Sequence, residues 1–380
     1  MAMCSFSTSR SWRARGVSVL CLMLLSAASA ARSEWAQFRG GSRQLGVASG
    51  KLGAAPKLAW KFKMGAPILS SPIMGGARAY IGSADRFIYA VNLKDGTKAW
   101  SYKTGGEVEA PPTLVGDAVV VGSTDGVLYC LESATGKLRW KYTTDDKIVG
   151  AANPVQVASG SGWWVVVGSY DNRIHCVDMK TGKAVWTFET ENYVNGTPTV
   201  SDGKVISGGC DGTLYVLRLT DGKRLAGVEL RNYIAGCAAL EGKRAYLGHY
   251  GNDFVCADID TGKVVWTYRD RAYPFFSSPA VTGDRIVMGS RDKRVHCVSR
   301  ADGKPLWTAR TRGKVDSSPV ICDGKVVVGS EDGRLYLLDL QSGRELWTYQ
   351  IGKPVMSSPA VSNGMILIGA DDGMLYAFRA

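Results

Sequence analysis

The sequence predicts an all-β fold, an eight-bladed β-propeller of four-stranded antiparallel blades closed by an N-terminal strand, from three observations. The first is a series of Asp-Gly and Ser-Gly pairs between short β-branched and aromatic runs, as in Ser317–Trp347, because glycine accepts the positive φ of tight hairpin turns. The second is a glycine that recurs at intervals of about forty residues, and four strands in a copy of this length are typical of a propeller. This glycine stands at positions 82, 122, 168, 208, 248, 289, 329 and 369.

The third observation is that the two ends of the repeat array complement each other. Trp60 lies twelve residues before Pro72, which is also the spacing between Trp186 and Pro198, so Trp60 marks an outermost strand without a blade of its own. The last copy ends after its third strand, Leu375–Phe378. We therefore expect the N-terminal strand to complete the eighth blade, which removes the exposed sheet edges of an open array.

Residues 1–30 predict an export signal. Three Arg precede an apolar run, Val17–Leu25, and the Ala-Ser-Ala motif ending at Ala30 fits a small-x-small cleavage site. The apolar run is too short to span a bilayer, and no other segment is long enough. Cys21 lies inside the apolar run, so we expect no lipid attachment. The mature chain is expected to be soluble and periplasmic or associated with the cell envelope, after cleavage near Ala30.

The remaining chain is expected to contain a lead-in segment, residues 31–57, and a single propeller domain, residues 58–380. Trp35 and Phe38 of the lead-in segment are expected to pack against the propeller. Blade 3 is longer than the others, with an insertion around Ala158–Gly162 in its first hairpin turn. Such a lengthened surface hairpin is either an insertion that the fold tolerates or an extended contact face.

Charge and cysteine usage exclude several classes of protein. The net charge of +12 falls to +9 without residues 1–30, which carry three Arg and no acidic residue. The charges are scattered through turns, which fits a solvated surface or weak attraction to an acidic partner and not a nucleic-acid-binding module. Seven cysteines then remain, without a CxxC motif, and no disulfide framework is expected. His175, His249 and His296 replace strand Tyr or turn Ser residues, so we expect structural roles, no metal site and no Ser-His-Asp triad.

A recurring Trp follows the last turn glycine of most copies by four residues, and we expect it to dock each blade against its neighbour. Blade 4 has Ala226 at this position, and blade 5 has His249-Tyr250-Gly251-Asn252 in place of the usual turn. The seam between these two blades is therefore predicted to be the least stable in the ring and to open first. The docking residues are Trp60, Trp100, Trp140, Trp186, Trp266, Trp307 and Trp347.

The segments Gly333–Trp347 and Gly126–Trp140 resemble the pyrroloquinoline-quinone (PQQ) propeller repeat and the tryptophan-docking motif of quinoprotein alcohol dehydrogenases. The resemblance extends from Trp60 to the end of the chain. The lead-in sequence Trp-Ala-Gln-Phe-Arg-Gly-Gly is similar to that of other exported propellers. Within this family, the chain most resembles BamB-like proteins, which implies a non-catalytic scaffold of outer-membrane protein assembly. It departs from them in lacking a cysteine suited to lipid attachment.

The resemblance to quinoprotein dehydrogenases implies a search for an acid, an Asn and an Asp near the propeller axis that could hold calcium and PQQ. Glu109, Asn195 and Asp316 have these residue types and are the candidates for cofactor binding. The adjacent cysteine pair of those enzymes is absent, so no catalytic residue is assigned and no cofactor is expected. The residues three positions before the proline that leads into each inner strand, or before the residue that replaces it, are expected to surround the channel: Leu69, Glu109, Ala151, Asn195, Gly236, Phe276, Asp316 and Met356.

Aromatic residues at the same rim support the remaining hypothesis about function. Tyr193, Tyr233, Tyr273 and Phe275, with Phe276 beside them, lie in the links into blades 4, 5 and 6. They either cap the inner strands or form a patch that binds a protein partner in the cell envelope. The favoured interpretation is a monomeric, non-catalytic scaffold. The alternatives are a PQQ-dependent alcohol or sugar dehydrogenase and a ligand-sensing propeller.

Overall fold

The structure is a computed structural model, and it describes Met1 and residues 35–157 and 162–379. The predicted export signal and most of the predicted insertion in blade 3 lie outside the described residues. From residue 35 onward the described chain forms one compact unit of eight sheets, arranged as a propeller. This confirms the predicted fold class. Among the described residues, no helix is both long and apolar enough to cross a membrane.

The strands run from the inner to the outer edge of each blade in chain order. Blade 1 contains β3 (Ile73–Gly75), β4 (Arg78–Gly82), β5 (Phe87–Asn92) and β6 (Lys98–Lys103). Blade 2 contains β7 (Thr113–Val115), β8 (Ala118–Gly122), β9 (Val127–Glu132) and β10 (Leu138–Thr143). Blade 3 contains β11 (Asn153–Gln156), β12 (Trp163–Gly168), β13 (Arg173–Asp178) and β14 (Ala184–Glu189). Blade 4 contains β15 (Thr199–Ser201), β16 (Lys204–Gly208), β17 (Thr213–Arg218) and β18 (Arg224–Glu229).

The second half of the ring repeats this pattern, except that the N-terminal strand completes the last blade. Blade 5 contains β19 (Ala239–Glu241), β20 (Arg244–Gly248), β21 (Phe254–Asp258) and β22 (Lys263–Tyr268). Blade 6 contains β23 (Ala280–Val281), β24 (Arg285–Ser290), β25 (Arg294–Ser299) and β26 (Pro305–Arg310). Blade 7 contains β27 (Val320–Cys322), β28 (Lys325–Ser330), β29 (Arg334–Asp339) and β30 (Glu345–Gln350). Blade 8 contains β31 (Ala360–Ser362), β32 (Met365–Gly369), β33 (Met374–Arg379) and β2 (Lys57–Lys63).

Blade 8 closes the ring as the sequence predicts. Its outermost strand β2 pairs antiparallel with β33, with Lys57 opposite Arg379 and Lys63 opposite Met374. The inner hairpins also follow the turn chemistry of the sequence. In blade 7, Asp323 has φ 49° and Gly324 has φ 70°, the two positive values of a type I′ turn, which matches the twist of the strands it joins.

The predicted tryptophans join neighbouring blades. Trp100 stands on β6, the outermost strand of blade 1, and its ring crosses the seam to lie on Gly136, in the turn of blade 2 between β9 and β10. A Cβ atom on Gly136 would come within 2.7 Å of the indole. The Nε1–H of Trp100 donates to the carbonyl of Ser133 in blade 2 at 2.9 Å. The tryptophans that lie on a turn glycine in this way are Trp60, Trp100, Trp140, Trp186, Trp266 and Trp307.

Two seams depart from this pattern. Among the residues that the structure describes, Trp347 meets no turn glycine, because β33 and β2 come from opposite ends of the chain, and its ring packs edge-to-face on Phe378 instead. At the seam between blades 4 and 5, Ala226 stands in place of the ring, and a Cβ on Gly262 would meet only the carbonyl group of Gly227. Within the described part of the chain, this seam lacks both the indole packing and its hydrogen bond.

The lead-in segment is more than a loop. Residues 35–48, here called the strap, run around the inside of the ring and offer carbonyl oxygens to the inner strands in blade order. The strap also contains a short 3₁₀ helix (Phe38–Gly40) and β1 (Val47–Ala48), which pairs parallel with β27. In blade 3 the side-chain amide of Asn153 donates to the carbonyl of Ser42 at 2.8 Å. The backbone amides that donate to the strap, at 2.8–2.9 Å, are those of Met74, Leu114, Val200, Leu240, Val281 and Ile321.

Arg39 of the strap is buried at the inner edge of the ring and is 1% exposed. Its guanidinium donates to the carbonyl of Pro279 at 2.7 Å and to that of Ser318 at 3.2 Å, which ties blades 6 and 7 together. Burial lowers the pKa of Arg39 to about 10, so the side chain still carries its charge at neutral pH. Trp35 is also buried, as the sequence predicts, whereas Phe38 is half-buried.

Candidate functional site

The two ends of the central channel differ. The strap pairs with the second residue of six inner strands, next to the first hairpin turn, and so occupies one end of the channel. The opposite end, here called the mouth, is bordered by the links that lead into the inner strands and by the turns between the second and third strands.

The strand register corrects two of the positions expected on the innermost ring of the mouth. It places Val149 and Ala235 there, in place of the expected Ala151 and Gly236. The two expected positions are wrong because they were counted from Pro154 and Ala239, which lie further along their strands than Pro198 does. Pro154 stands two residues, and Ala239 one residue, beyond the position that Pro198 holds in blade 4.

A second ring surrounds the first. It consists of the residue two positions after the recurring glycine, and in each blade the backbone N–H of this residue donates to a carbonyl of the neighbouring link, as Tyr250 does to Tyr233 at 2.9 Å. Sequence reasoning missed this ring, although tabulating the second position after each recurring glycine would have revealed it. Its members are Ala84, Thr124, Tyr170, Cys210, Tyr250, Arg291, Glu331 and Asp371.

Aromatic side chains from the links and from this second ring of residues contact each other along blades 3 to 6. Tyr170 stacks on Tyr193 with 4.9 Å between centroids. Tyr250 contacts Tyr233 at 5.8 Å and Phe276 at 4.3 Å, both edge-to-face. Tyr193, Tyr233 and Tyr250 are 45%, 52% and 46% exposed. We call these five residues the aromatic half of the mouth.

Two of the predicted contact residues lie outside this cluster. Phe275 is only 2% exposed and packs in the core against Phe254 and His296, so the expectation that it is a surface residue is wrong. The link into blade 6 has one more residue than the others, which buries Phe275 against the recurring glycine and leaves Phe276 at the rim. Tyr273 is half exposed, and the structure shows no ring contact between it and the aromatic half among the described residues.

The rest of the mouth is rich in acidic residues. Burial and the neighbouring Glu107 raise the pKa of Glu109. Burial and the nearby carboxylate of Glu331 raise the pKa of Asp371, and one oxygen of Asp371 is buried without a hydrogen-bond partner among the described residues. Neighbouring carboxylates repel one another, and a positive charge relieves this repulsion. The acidic side of the mouth therefore attracts cationic groups.

Arg291 joins the two halves. Its guanidinium lies over the ring of Phe276, 3.5 Å from the centroid, and Nη2 donates to Asp316 at 2.7 Å. The hydrogen bond to Asp316 raises the pKa of Arg291, so its charge is fixed. A planar cation held against an aromatic face and a carboxylate is a well-organised polar contact for a partner.

The candidate cofactor residues do not fit a calcium ion with a quinone. Both oxygens of Asp316 accept hydrogen bonds from Arg291, at 2.7 Å and 3.1 Å, so a fixed positive charge lies where a calcium ion would need free oxygen ligands. Glu109 and Asn195 lie in the links into blades 2 and 4, whereas Asp316 lies in the link into blade 7. The Oδ1 of Asn195 is buried and has no hydrogen-bond partner among the described residues.

Comparison with known proteins agrees with the fold and the repeat. The profile of a family described as "Beta-alanine-activating enzyme, beta-propeller" matches residues 151–380, and one described as "Outer membrane protein assembly factor BamB" matches residues 52–153. BamB of Escherichia coli K12 is 28% identical over 124 residues, and BamB of Shigella dysenteriae is 29% identical over the same length. These matches cover 33% of this chain and 30% of each BamB sequence, so the chain spans less than a third of the curated relatives it matches.

Solved structures share the architecture over most of the chain. BamB from Moraxella catarrhalis has a TM-score of 0.73 at 18% identity, with 86% of this chain and 100% of that chain covered. The computationally designed Ika8 protein has a TM-score of 0.73 at 19% identity, covering 84% and 99%. A europium-containing methanol dehydrogenase has a TM-score of 0.78 at 15% identity, covering 92% and 98%. At these identities the likeness establishes the fold alone.

The fold and the docked tryptophans define a PQQ-like β-propeller that resembles BamB. The profile described as "Beta-alanine-activating enzyme, beta-propeller" covers more than half of the sequence. The chain therefore belongs to that family of β-propellers.

Proposed function

We propose that this protein is a non-catalytic, exported propeller that binds a polypeptide partner at the mouth of its channel, in the manner of a BamB-like scaffold. The observation that carries the proposal is the aromatic half, in which Tyr170 and Tyr193 form one pair and Tyr233, Tyr250 and Phe276 form a group of three along the rim. Three of its tyrosines are about half exposed. Tyr is enriched where protein interfaces gain most of their free energy, because it combines a large contact area with few rotatable bonds.

The surrounding charges support a polypeptide as the occupant. Arg291 and the acidic residues of the mouth lie beside the rings, so an extended segment could place apolar side chains on the rings and polar groups against the charges. The strap occupies the other end of the channel, which leaves the mouth as the end at which a partner could insert a side chain.

The cellular setting is part of the same proposal. Residues 1–30 carry the features of an export signal, and similarity to BamB supports a place in the periplasm or cell envelope. The name of that relative, an outer membrane protein assembly factor, makes outer-membrane protein assembly the process to test first.

Site-specific crosslinking in intact cells tests this proposal. A photo-reactive residue at position 233 is expected to give a discrete crosslinked polypeptide, identified by mass spectrometry. Its yield should fall at least tenfold when Tyr193→Ala and Tyr250→Ala are introduced, while the melting temperature is unchanged. The matched control carries Leu225→Ala, Val265→Ala and Leu306→Ala, three residues each 45% exposed on outermost strands. An equal crosslink yield in the aromatic variant and in the control would contradict the proposal.

A second candidate, a ligand-sensing propeller, is favoured by one observation. Asn195 and Asp371 each hold a buried oxygen at the mouth without a partner among the described residues, and a small polar ligand could satisfy such atoms. A titration with PQQ and calcium, followed by tryptophan fluorescence and then by dye reduction with alcohols and sugars, separates the hypotheses. Saturable binding without turnover supports a sensor, turnover supports a dehydrogenase, and no binding leaves the scaffold.

A further inference from the structure

In two blades a histidine replaces the tyrosine of the Asp-Tyr pair that follows the recurring glycine. In blade 1, which has the usual pair, Oδ2 of Asp85 accepts hydrogen bonds from the hydroxyl of Tyr89 at 2.7 Å and from the amide of Gly65 in the adjacent link at 2.8 Å. In blades 3 and 6 the tyrosine is replaced by His175 and His296. The same pair of positions therefore exists in two chemical forms within one ring.

Blade 3 supplies partners for both oxygens of its aspartate. The amide of Asp145 donates to Oδ2 of Asp171 at 3.2 Å, and Nε2 of His175 lies 3.1 Å from the same oxygen. The amide of Arg173 donates to the other oxygen at 3.0 Å. The carboxylate of Asp145 is itself paired with Arg173 at 2.9 Å. No ligand is needed to complete this arrangement.

Blade 6 leaves its aspartate incomplete. The side chain of Asp292 is 2% exposed, yet its Oδ2 has no hydrogen-bond partner among the described residues. An amide of the adjacent link reaches the equivalent oxygen in blades 1 to 4 and 7. The longer link into blade 6 brings the carboxylate of Asp270 instead. Ligand atoms of Asp270, Asp292 and His296 all lie within 4.8 Å of one another.

We propose that Asp270, Asp292 and His296 form a binding site for a divalent metal ion of the zinc class. One imidazole nitrogen and two carboxylates are a ligand set that Zn²⁺ accepts, with water completing four-fold coordination. The hydroxyl of Tyr268 lies 3.0 Å from Nδ1 of His296 and can accept the proton of that nitrogen. Nε2, which faces Oδ1 of Asp292 at 3.2 Å, is then unprotonated and can bind an ion placed between the two side chains. A buried carboxylate oxygen that accepts no hydrogen bond is unfavourable, and a directly bound cation relieves this.

The nearby arginines limit the affinity without blocking the site. Nε of Arg271 lies 3.9 Å and Nε of Arg294 4.0 Å from Oδ2 of Asp292, and Nε of Arg271 also lies 3.8 Å from Asp270. These are long ion pairs, beyond hydrogen-bond distance, and a bound metal ion would replace that of Arg271. Arg294 donates to Thr308, and the side chain of Arg271 is half exposed, so it can turn toward solvent when an ion binds.

The test is a titration of chelator-treated protein with Zn²⁺ by calorimetry and with Co²⁺ by visible absorption. One equivalent of either ion is expected to bind, with the absorption of four-coordinate Co²⁺. His296→Tyr restores the residue of the other blades, and Asp270→Asn changes one exposed side chain. Each should weaken binding at least tenfold with an unchanged melting temperature.

Blade 3 supplies the matched controls. His175→Tyr and Asp145→Asn alter the equivalent histidine and an acidic residue of the adjacent link, where the aspartate already has its partners, and they should leave Zn²⁺ affinity unchanged. The proposal is overturned if the wild-type protein binds no ion, if binding survives both blade 6 variants, or if the blade 3 variants reduce it equally. None of these outcomes depends on the function of the channel mouth.

Discussion

The indole of Trp100 covers Gly136 of the next blade so closely that a Cβ atom on the glycine would lie 2.7 Å from the ring. The glycine also has a φ of +74°, so both its conformation and its lack of a side chain are required. Gly136→Ala should therefore lower the free energy of unfolding by about 2–4 kcal/mol, from positive-φ strain together with overpacking.

Gly116→Ala is the matched control for that variant. Gly116 has a φ of +59°, but a Cβ atom on it would meet nothing within 4 Å, so only a backbone strain of about 1 kcal/mol is expected. Urea denaturation of both variants measures the difference. Equal losses of stability would show that the tryptophan contact contributes nothing.

The seam between blades 4 and 5 should open first. Ala226 replaces the docking ring, so the seam depends on the buried apolar cluster that includes Ile206 and Leu247 and on the ion pair of Lys204 with Asp260, beside a groove of about 220 Å³. Native-state hydrogen exchange is expected to be fastest across residues 226–252. Uniform protection of all seams would contradict this expectation.

Ala226→Trp should strengthen the same seam. The new indole would meet Gly262, which has a φ of +68° and only the carbonyl group of Gly227 nearby. Burying a ring there should raise the free energy of unfolding by about 1–2 kcal/mol. Thermal denaturation checks the gain, and slower exchange across residues 226–252 in this variant would locate it at the seam.

Arg39 should be a large single contributor to stability. Arg39→Met keeps the apolar stem but leaves the carbonyls of Pro279 and Ser318 without their donors. We expect a loss of about 2–4 kcal/mol in the free energy of unfolding, because buried polar groups without partners are costly. Arg43→Met, which removes a half-exposed arginine of the same strap, is the control and should be nearly neutral.

Stability should decrease as the pH falls below about 6.5, the ordinary pKa of histidine. Burial lowers the pKa of His175, with Asp171 opposing the shift. The unfolded chain therefore takes up a proton at a higher pH than the folded chain, which favours unfolding as the pH drops. His175→Tyr should lose less stability than the wild type between about pH 7.5 and about pH 5.5, as measured by urea denaturation at each pH. An identical pH dependence in His175→Tyr and in the wild type would exclude His175 as a source of the stability lost at low pH.

The number of blades and the closing strand could be predicted because both leave side-chain signals. Turn glycines, Asp-Gly pairs and a tryptophan at fixed spacing recur along the chain, and each has a local structural cause. The strap was predicted only in part, from Trp35 and Phe38. Its course around the ring depends mainly on its own carbonyl oxygens, which every residue possesses, so no pattern of residue types marks that course.

The mouth was predicted only in part, for two different reasons. Tyr193 and Tyr233 lie on it as expected, but one extra residue in the link into blade 6 moved Phe275 into the core and left Phe276 at the rim. Tyr170 comes from a turn that the sequence presents as an ordinary hairpin, and the unusual turn that contains Tyr250 indicated only a weaker seam. Their contacts depend on the three-dimensional neighbourhood of link and turn.

The strap has a consequence for the size of the ring. Carbonyls between Trp35 and Gly46 meet blades 1 to 7 in order, so a single short stretch of chain is matched to the circumference of the channel. A ring with one blade more or fewer would have a different circumference and would leave some of these groups unmatched. The chain thus carries an internal template for eight-fold pseudosymmetry, which favours one ring size over its neighbours.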